Sequence, residues 1–326
     1  MPRIHARVIL LFSALIGLAP AAAHAQSANY PDKTVTIISD AAPGSTPDVD
    51  TRFIAAAFTK MWGQQVIVVN HPGANGSIAA RYAAEAKPDG YTLYNPVLSS
   101  FIALSSVAPN LPVRLPRDFA AIGYAAENPM FIAVSPSLGI STLPQLIAAA
   151  KKRPGKISVA ATGVARLTGL TGLLLEQRAG VKFLVVPYNT RGPAAAVDDI
   201  AAGRVSFIIE GYSGIAGAVQ SHRVKLIAVA SAKRLATFPN LPTVAETLPG
   251  FSAVGWQVLL APRGIPQPII DKVSADLTKV VSDPAFKAKL AKVGSYTRAM
   301  TPEQVITFVQ QEQATWLPLR ESIAKK

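Results

Sequence analysis

Apolar residues fall in short continuous blocks and in rows spaced about four apart, and the two patterns take turns along the chain. The block from Thr34 to Ser39 reads as a short buried strand. Val49, Phe53, Ala57 and Met61 then share one helical face, and Gly63 closes that helix. "QVIVV" (65–69) is a second strand and "NHPGANG" a turn; Ile78, Tyr82, Ala83 and Ala86 mark a second helix, stopped by "KPDG". "YTLY" (91–94) is a third strand. This alternation predicts a mostly parallel sheet with helices on both faces.

A second series begins at "MFIAV" (130–134). It runs through helix "TLPQLIAAAKKR", strand "ISVAAT", helix "LTGLTGLLLEQRAG", strand "FLVVPY", helix "AAAVDDIAAG" and strand "VSFII". "VKLIAVAS" (224–231) is a further strand. After Trp256 the pattern changes to two long amphipathic helices, "PQPIIDKVSADLTKVVSD" and "PEQVITFVQQEQATWLPLRESI". Two α/β units are therefore expected, each with its own sheet. A cleft between them, lined by loops at the carboxyl ends of strands, is where ligands sit in open α/β sheets.

The N-terminus departs from this alternation. Arg3 and Arg7 precede an apolar core from Val8 to Leu18, and Ala23-His24-Ala25 has the small-x-small form of a cleavage site. Residues 1–25 read as a secretory signal cleaved after Ala25, because the apolar run is too short to cross a bilayer. The chain has no cysteine, so an exported fold must rely on its core, and a thiol nucleophile, a cysteine metal site and a lipid anchor on cysteine are all excluded. Net charge is +13, of which the two signal arginines supply two, leaving +11. Apart from Lys151-Lys152-Arg153 the bases are scattered and no aromatic stacking pattern accompanies them. No nucleic-acid partner is expected; a basic surface of this kind attracts small anionic solutes. Once His5 and His24 leave with the signal, only His71 and His222 remain, too few for a histidine-rich zinc site or a histidine relay. No metal and no cofactor are expected.

The loop "APGSTPD" (42–48) joins the first strand to the first helix. Proline favours the first helical position, which makes Pro47 the N1 residue and Thr46 the N-cap. The N–H groups of Gly44, Ser45 and Thr46 would then converge in front of a positive helix end, a seat for a carboxylate. Asp48 and Asp50 fit equally well as ordinary dipole partners in a capped helix, so the loop alone leaves capping and anion binding open. A hydrolase of α/β build would need Gly-x-Ser-x-Gly after a strand. The nearest approach, "GYSGI" (211–215), lacks the last glycine and is followed only by His222. Neither a paired-histidine zinc motif nor a phosphate-binding Gly-Lys-Ser/Thr loop is present, so an enzyme is not expected.

The motifs "YPDKTVTII", "APGS..D...R", "NHPGANGSIAA", "AKPDGYTL", "RDFAAI", "VPY", "LPTVAETLPGF", and "GW" with a following "AP" combine in a specific order and spacing. From Tyr30 to the C-terminus the chain resembles the periplasmic solute-binding receptors of tripartite tricarboxylate transporters, the Bug or TctC-type family. The resemblance implies an α/β, two-lobed type II periplasmic-binding-protein fold, with two mixed sheets flanked by helices and a cleft between the lobes. Residues 26–126 and 251–326 would form lobe 1 and residues 127–250 lobe 2. It implies a periplasmic monomer that closes over a small organic acid and delivers it to large and small membrane permease subunits. A di- or tricarboxylate, an acidic amino acid or an aromatic acid would fit, and a sensor that presents the same solute remains an alternative.

Position by position, the family's first ligand loop falls on Ala42, Pro43, Gly44, Ser45, Thr46 and Asp48, with Arg52 matching too. The family usually has a second glycine where Ser45 stands and a proline–aromatic pair where this chain has Asp40-Ala41, which suggests a larger or differently shaped solute. In the second lobe the run Thr162-Gly163-Val164-Ala165-Arg166 replaces a Gly-x-Gly-Ser loop, and Gly169 stands in place of a histidine. Arg166 either pairs with a ligand carboxylate or is a solvated rim residue. Tyr188, Asn189 and Thr190 match another loop, which is about two residues longer here before Asp199. Glu210 either meets an ammonium or hydroxyl group of the solute or caps the next turn. Ser99, past the third strand, is placed to line the cleft; "NHPGANG" and "KPDG" serve the fold, and Trp256 packs at the hinge.

Overall fold

A computed structural model describes residues 29–102, 113–163, 166–188 and 192–324. The expected signal segment and the two loop residues Asn189 and Thr190 lie outside them. The described residues form nine strands: β1 (Val35–Ser39), β2 (Val66–Asn70), β3 (Thr92–Asn95), β4 (Phe119–Val134), β5 (Ser158–Ala161), β6 (Leu184–Pro187), β7 (Phe207–Gly211), β8 (Lys225–Val229) and β9 (Val254–Pro262). The helices are α1 (Thr46–Trp62), α2 (Ser77–Ala84), α3 (Leu98–Phe101), α4 (Leu143–Lys152), α5 (Leu167–Ala179), α6 (Gly192–Ala201), α7 (Tyr212–Gln220), α8 (Gln267–Ser282), α9 (Pro284–Lys292) and α10 (Pro302–Ala324).

The strands pair in the order β2-β1-β3-β9-β4-β7-β5-β6, with β8 also on β4. β1 runs parallel to β2 and β3, and β5 parallel to β6 and β7. The joint between these two groups is β4. Its residues Phe119–Pro129 pair antiparallel with β9, and Met130–Val134 pair antiparallel with β7 while Phe131–Val134 pair with β8. The handover falls at Pro129, which has no N–H to give to a ladder. The two sheets are therefore mixed, as expected, but they share one 16-residue strand where the pattern predicts only the segment 130–134. β4 is buried along nearly its whole length, so the alternation that reveals a half-exposed strand is missing.

Parallel order puts the carboxyl ends of β1, β2 and β3 on one side of a cleft and those of β5, β6 and β7 on the other. Beneath it, the Trp256 ring lies 5.0 Å from Phe101 and 5.1 Å from Phe308 of α10. The indole Nε1 of Trp256 donates to Glu312 Oε2 at 2.8 Å, which ties α10 under the junction. Among the described residues no helix is long and apolar enough to cross a membrane.

Candidate functional site

The cleft encloses about 490 Å³. Residues at the amino ends of α1, α5, α6 and α7 line it: Ser45 and Thr46, Arg166 and Leu167, Gly192 and Pro193, and Gly211. The first N–H groups of each helix have no intrahelical acceptor, so four positive helix ends face one volume. Each helix starts there because it follows, or closely follows, a strand of a parallel sheet.

The loop 42–48 is built differently from its expected form. Ser45, not Thr46, is the N-cap of α1, with extended φ and ψ of −72° and 160°, and Thr46 is the first helical residue. Ser45 donates both its N–H, at 3.1 Å, and its hydroxyl, at 2.7 Å, to the Ala42 carbonyl. Gly44, at a φ of 76° that favours glycine, donates its N–H to Asp48 Oδ2 at 2.9 Å. Two of the three N–H groups expected to converge on an anion are thus used inside the loop. Asp48 also accepts from Asn70 Nδ2 at 2.8 Å and pairs with Arg52 at 3.0 Å. Its carboxylate holds the loop and does not face the cleft. Pro43, Gly44 and Asp48 are absent from the wall, while Ala42, Ser45 and Thr46 form part of it. The buried Thr46 hydroxyl has no hydrogen-bond partner among the described residues. It lies against Gly211 so closely that a Cβ there would sit 2.3 Å from Oγ1. The two sides touch at this point because residue 211 has no side chain.

Across the cleft, Arg166 is the N-cap of α5. Its stem folds over Gly163, where a Cβ would lie 2.8 Å from Cγ and Cδ. Its Nη2 donates to the Asp40 carbonyl at 2.8 Å, so the guanidinium bridges the two sides. Arg166 is half-buried in the wall, and the freely solvated reading does not hold. Asp40 itself is fully buried, accepting from the Ser100 hydroxyl and, at 3.4 Å, from the Val97 N–H. Burial raises its pKa, and the nearby Arg166 charge opposes that shift. Gly76 makes room for this pair, since a Cβ there would lie 2.5 Å from Ser100 Oγ and 2.7 Å from Asp40 Oδ2.

Glu210 is buried and lines the cleft. Its Oε2 accepts from Thr162 Oγ1 at 2.6 Å and its Oε1 from the N–H of the neighbouring Gly211 at 2.9 Å, while the N-cap of α7, Gly211, has no side-chain cap hydrogen bond. Burial raises the Glu210 pKa; the two hydrogen bonds and Arg166 pull the other way. Thr162, Gly163 and Ser99 also stand in the wall. Tyr188 does not: it is buried and its hydroxyl donates to Asp199, which anchors α6.

Sequence reasoning missed part of the wall. Pro72, Gly73, Ala74 and Asn75 of "NHPGANG" line the cleft, although that run was expected to serve the fold alone. Asn128 and Met130 enter from β4, Thr168 from α5, and Gly255 and Trp256 from β9. No sequence pattern marks Asn128, which stands just before the shared strand changes sheet. Behind it, Asn128 Nδ2 donates to the fully buried Asp50 at 2.5 Å, and Gln257 Nε2 donates to the same oxygen at 3.1 Å. Burial pushes Asp50 up to about 7. His71 stacks on Tyr82 at 4.6 Å and is not in the wall, and neither are His222 and Ser213.

Residues 51–324 match the tripartite tricarboxylate transporter family receptor. A UPF0065 protein of Bordetella bronchiseptica is 33% identical over 311 residues, covering 93% of this chain and 91% of that one. Protein BugT of Bordetella pertussis is 29% identical, with 98% of both chains covered. Among solved structures, an R. palustris protein with adipate superposes with a TM-score of 0.83 at 26% identity, covering 90% of this chain and 97% of that one. MatC from Rhodopseudomonas palustris with bound malate superposes with a TM-score of 0.78 at 27% identity, covering 89% and 100%. The family is one of transporter receptors and not of enzymes. With a two-sheet α/β fold, a cleft at the joint and a family match over most of its length, this chain belongs to the tripartite tricarboxylate transporter receptor family and is a solute-binding receptor of the TctC/Bug type.

Proposed function

We propose that the cleft captures a small carboxylated organic anion in the periplasm and delivers it to the large and small subunits of a membrane permease. One observation carries this reading: the amino ends of four helices from both sheets, with the guanidinium of Arg166 among them, face a single volume. A carboxylate entering there gains a bidentate partner and oriented N–H groups without requiring a metal. The adipate and malate in the related structures support the same ligand class.

Residues 26–126 and 251–326 act as one lobe and 127–250 as the other, with β4 and the start of β9 as the connections. Closure brings Arg166 to Asp40 and Thr46 to Gly211, and selects the state the permease recognises. The volume of about 490 Å³ leaves room for a solute larger than the smallest dicarboxylates. Ala41, where an aromatic ring would narrow the cleft, is part of the wall.

Thermal unfolding of the exported chain against mono-, di- and tricarboxylates, acidic amino acids and aromatic acids tests this. A ligand at a hundred times its Kd adds about 2.7 kcal/mol of stability, so at least one acid raises Tm by several degrees. Uniform absence of shifts across the acids, with a shift from a neutral sugar or a cationic solute, would contradict it.

A further inference from the structure

Resting on the carboxylate reading, we propose that this receptor selects an acid with one carboxylate at one end and a hydrogen-bond donor at the other (hydroxyl, amide or ammonium), held between Arg166 and Glu210, and discriminates against the dicarboxylate of equal length.

Among the described residues, Arg166 and Glu210 are the charged side chains in the cleft wall. They stand on the same side of the cleft, at the starts of α5 and α7. Arg166 has five N–H donors, and Asp40 O takes one at 2.8 Å, which fixes the fork in place. Glu210 accepts at both oxygens, from Thr162 Oγ1 and from the Gly211 N–H. A carboxylate has about four lone-pair sites, so each oxygen keeps one acceptor position after those bonds. This side of the cleft thus presents one donor fork and one acceptor pair.

The remaining wall is largely apolar, with Val97, Leu98, Met130, Leu167, Pro193 and Trp256. Two of the places open to a second carboxylate are unfavourable. Against the apolar side chains it would be desolvated and unpaired. Beside Glu210 it would face a like charge in a dry site. At the first helix the N–H groups of Gly44 and Ser45 are already used within their loop, which leaves the start of the helix and the Thr46 hydroxyl. Arg166 cannot neutralise everything near it either: Asp40 sits behind it and Glu210 stands within reach of its charge. A hydroxyl, amide or ammonium group meets the acceptor pair without any of these costs.

Calorimetry at neutral pH with two matched series tests the proposal: hexanoate, 6-hydroxyhexanoate, 6-aminohexanoate and adipate, and benzoate, 4-hydroxybenzoate and terephthalate. In the series that fits the cleft, a donor-bearing acid binds about tenfold or more tighter than both its dicarboxylate and its unsubstituted partner. Glu210→Gln keeps the size and an acceptor but removes the charge, and shifts the ratio toward the dicarboxylate by about tenfold. A wild-type chain that binds adipate or terephthalate as tightly as the donor-bearing acid would overturn the proposal and leave carboxylate capture standing. An unchanged ratio in a folded Glu210→Gln variant would do the same. The wild-type comparison stands on its own if that variant fails to fold. Absence of binding by every acid in both series, together with no thermal shift from any other acid, would remove the carboxylate reading itself.

Discussion

On the wall built from β1, β2 and β3, the acidic side chains Asp40 and Asp48 turn into the protein and are spent on loop geometry. On the wall built from β5 and β7, Arg166 and Glu210 reach the cleft surface. The first wall offers small residues, backbone and hydroxyls, a surface that accommodates many acids. The second carries the formal charges, and there a change of side chain alters which acid is accepted. The difference separates two tasks that one family fold must perform, gripping a carboxylate and choosing among carboxylates.

Removing the charge from the second wall has the largest expected effect. Arg166→Ala takes away the one cation that the described residues bring to the wall, and the bridge to Asp40, and loses about 30-fold or more in affinity for every acid that binds, read by calorimetry. Unchanged affinity would reduce Arg166 to a bystander.

Next comes the seam beneath both walls. Asp50 is fully buried on α1, and its pKa is raised from the ordinary 3.8 to about 7. The folded state therefore binds a proton that the unfolded state releases between those values. This contribution favours the folded state below pH 4 and is lost as pH rises toward 7, at up to ~1.4 kcal/mol per pH unit. Denaturant melts of Asp50→Asn should be flatter over that range than wild type and more stable at pH 8. Identical slopes would show that other groups set the dependence.

Where the walls touch, Gly211→Ala adds a Cβ 2.3 Å from Thr46 Oγ1, at a backbone φ of −64° that alanine tolerates. The fold should keep its Tm within a few degrees while affinity falls about tenfold, because the cleft can no longer shut. The smallest effect belongs to the first wall. Asp48→Asn weakens the Gly44 bond and the half-exposed Arg52 pair, costing about 1 kcal/mol of stability with affinity nearly unchanged. A large loss of affinity there would show that the first wall also chooses.

Much of this was legible in the sequence, and the exceptions share physical causes. Strand–helix alternation gave the element order because parallel sheets need helical crossovers. It failed for β4, which is buried on both faces and rich in alanine, with Gly123 and Pro129 inside it. Helix α9, beginning at Pro284 just after α8, was hidden because its proline reads as a stop when it is in fact a helix start. The loop 42–48 sits where a strand–helix turn must sit, but its hydrogen bonds depend on Asn70, 22 residues beyond Asp48, which no local pattern displays. "NHPGANG" was read as turn chemistry, and it is a turn; that the turn also lines the cleft is a tertiary fact. The Arg166–Asp40 bridge joins residues 126 apart in sequence, and each was noticed only as a departure from the family pattern.

The central claim is that a ligand carboxylate sits on Arg166 between the helix ends. A crystal structure of the receptor with its tightest-binding acid tests it most directly. The account predicts one carboxylate within hydrogen-bond distance of the Arg166 guanidinium and of N–H groups at the start of α1, α5 or α6, with the cleft closed over it. A carboxylate seated elsewhere in the closed cleft, with Arg166 still bound only to Asp40, would contradict it.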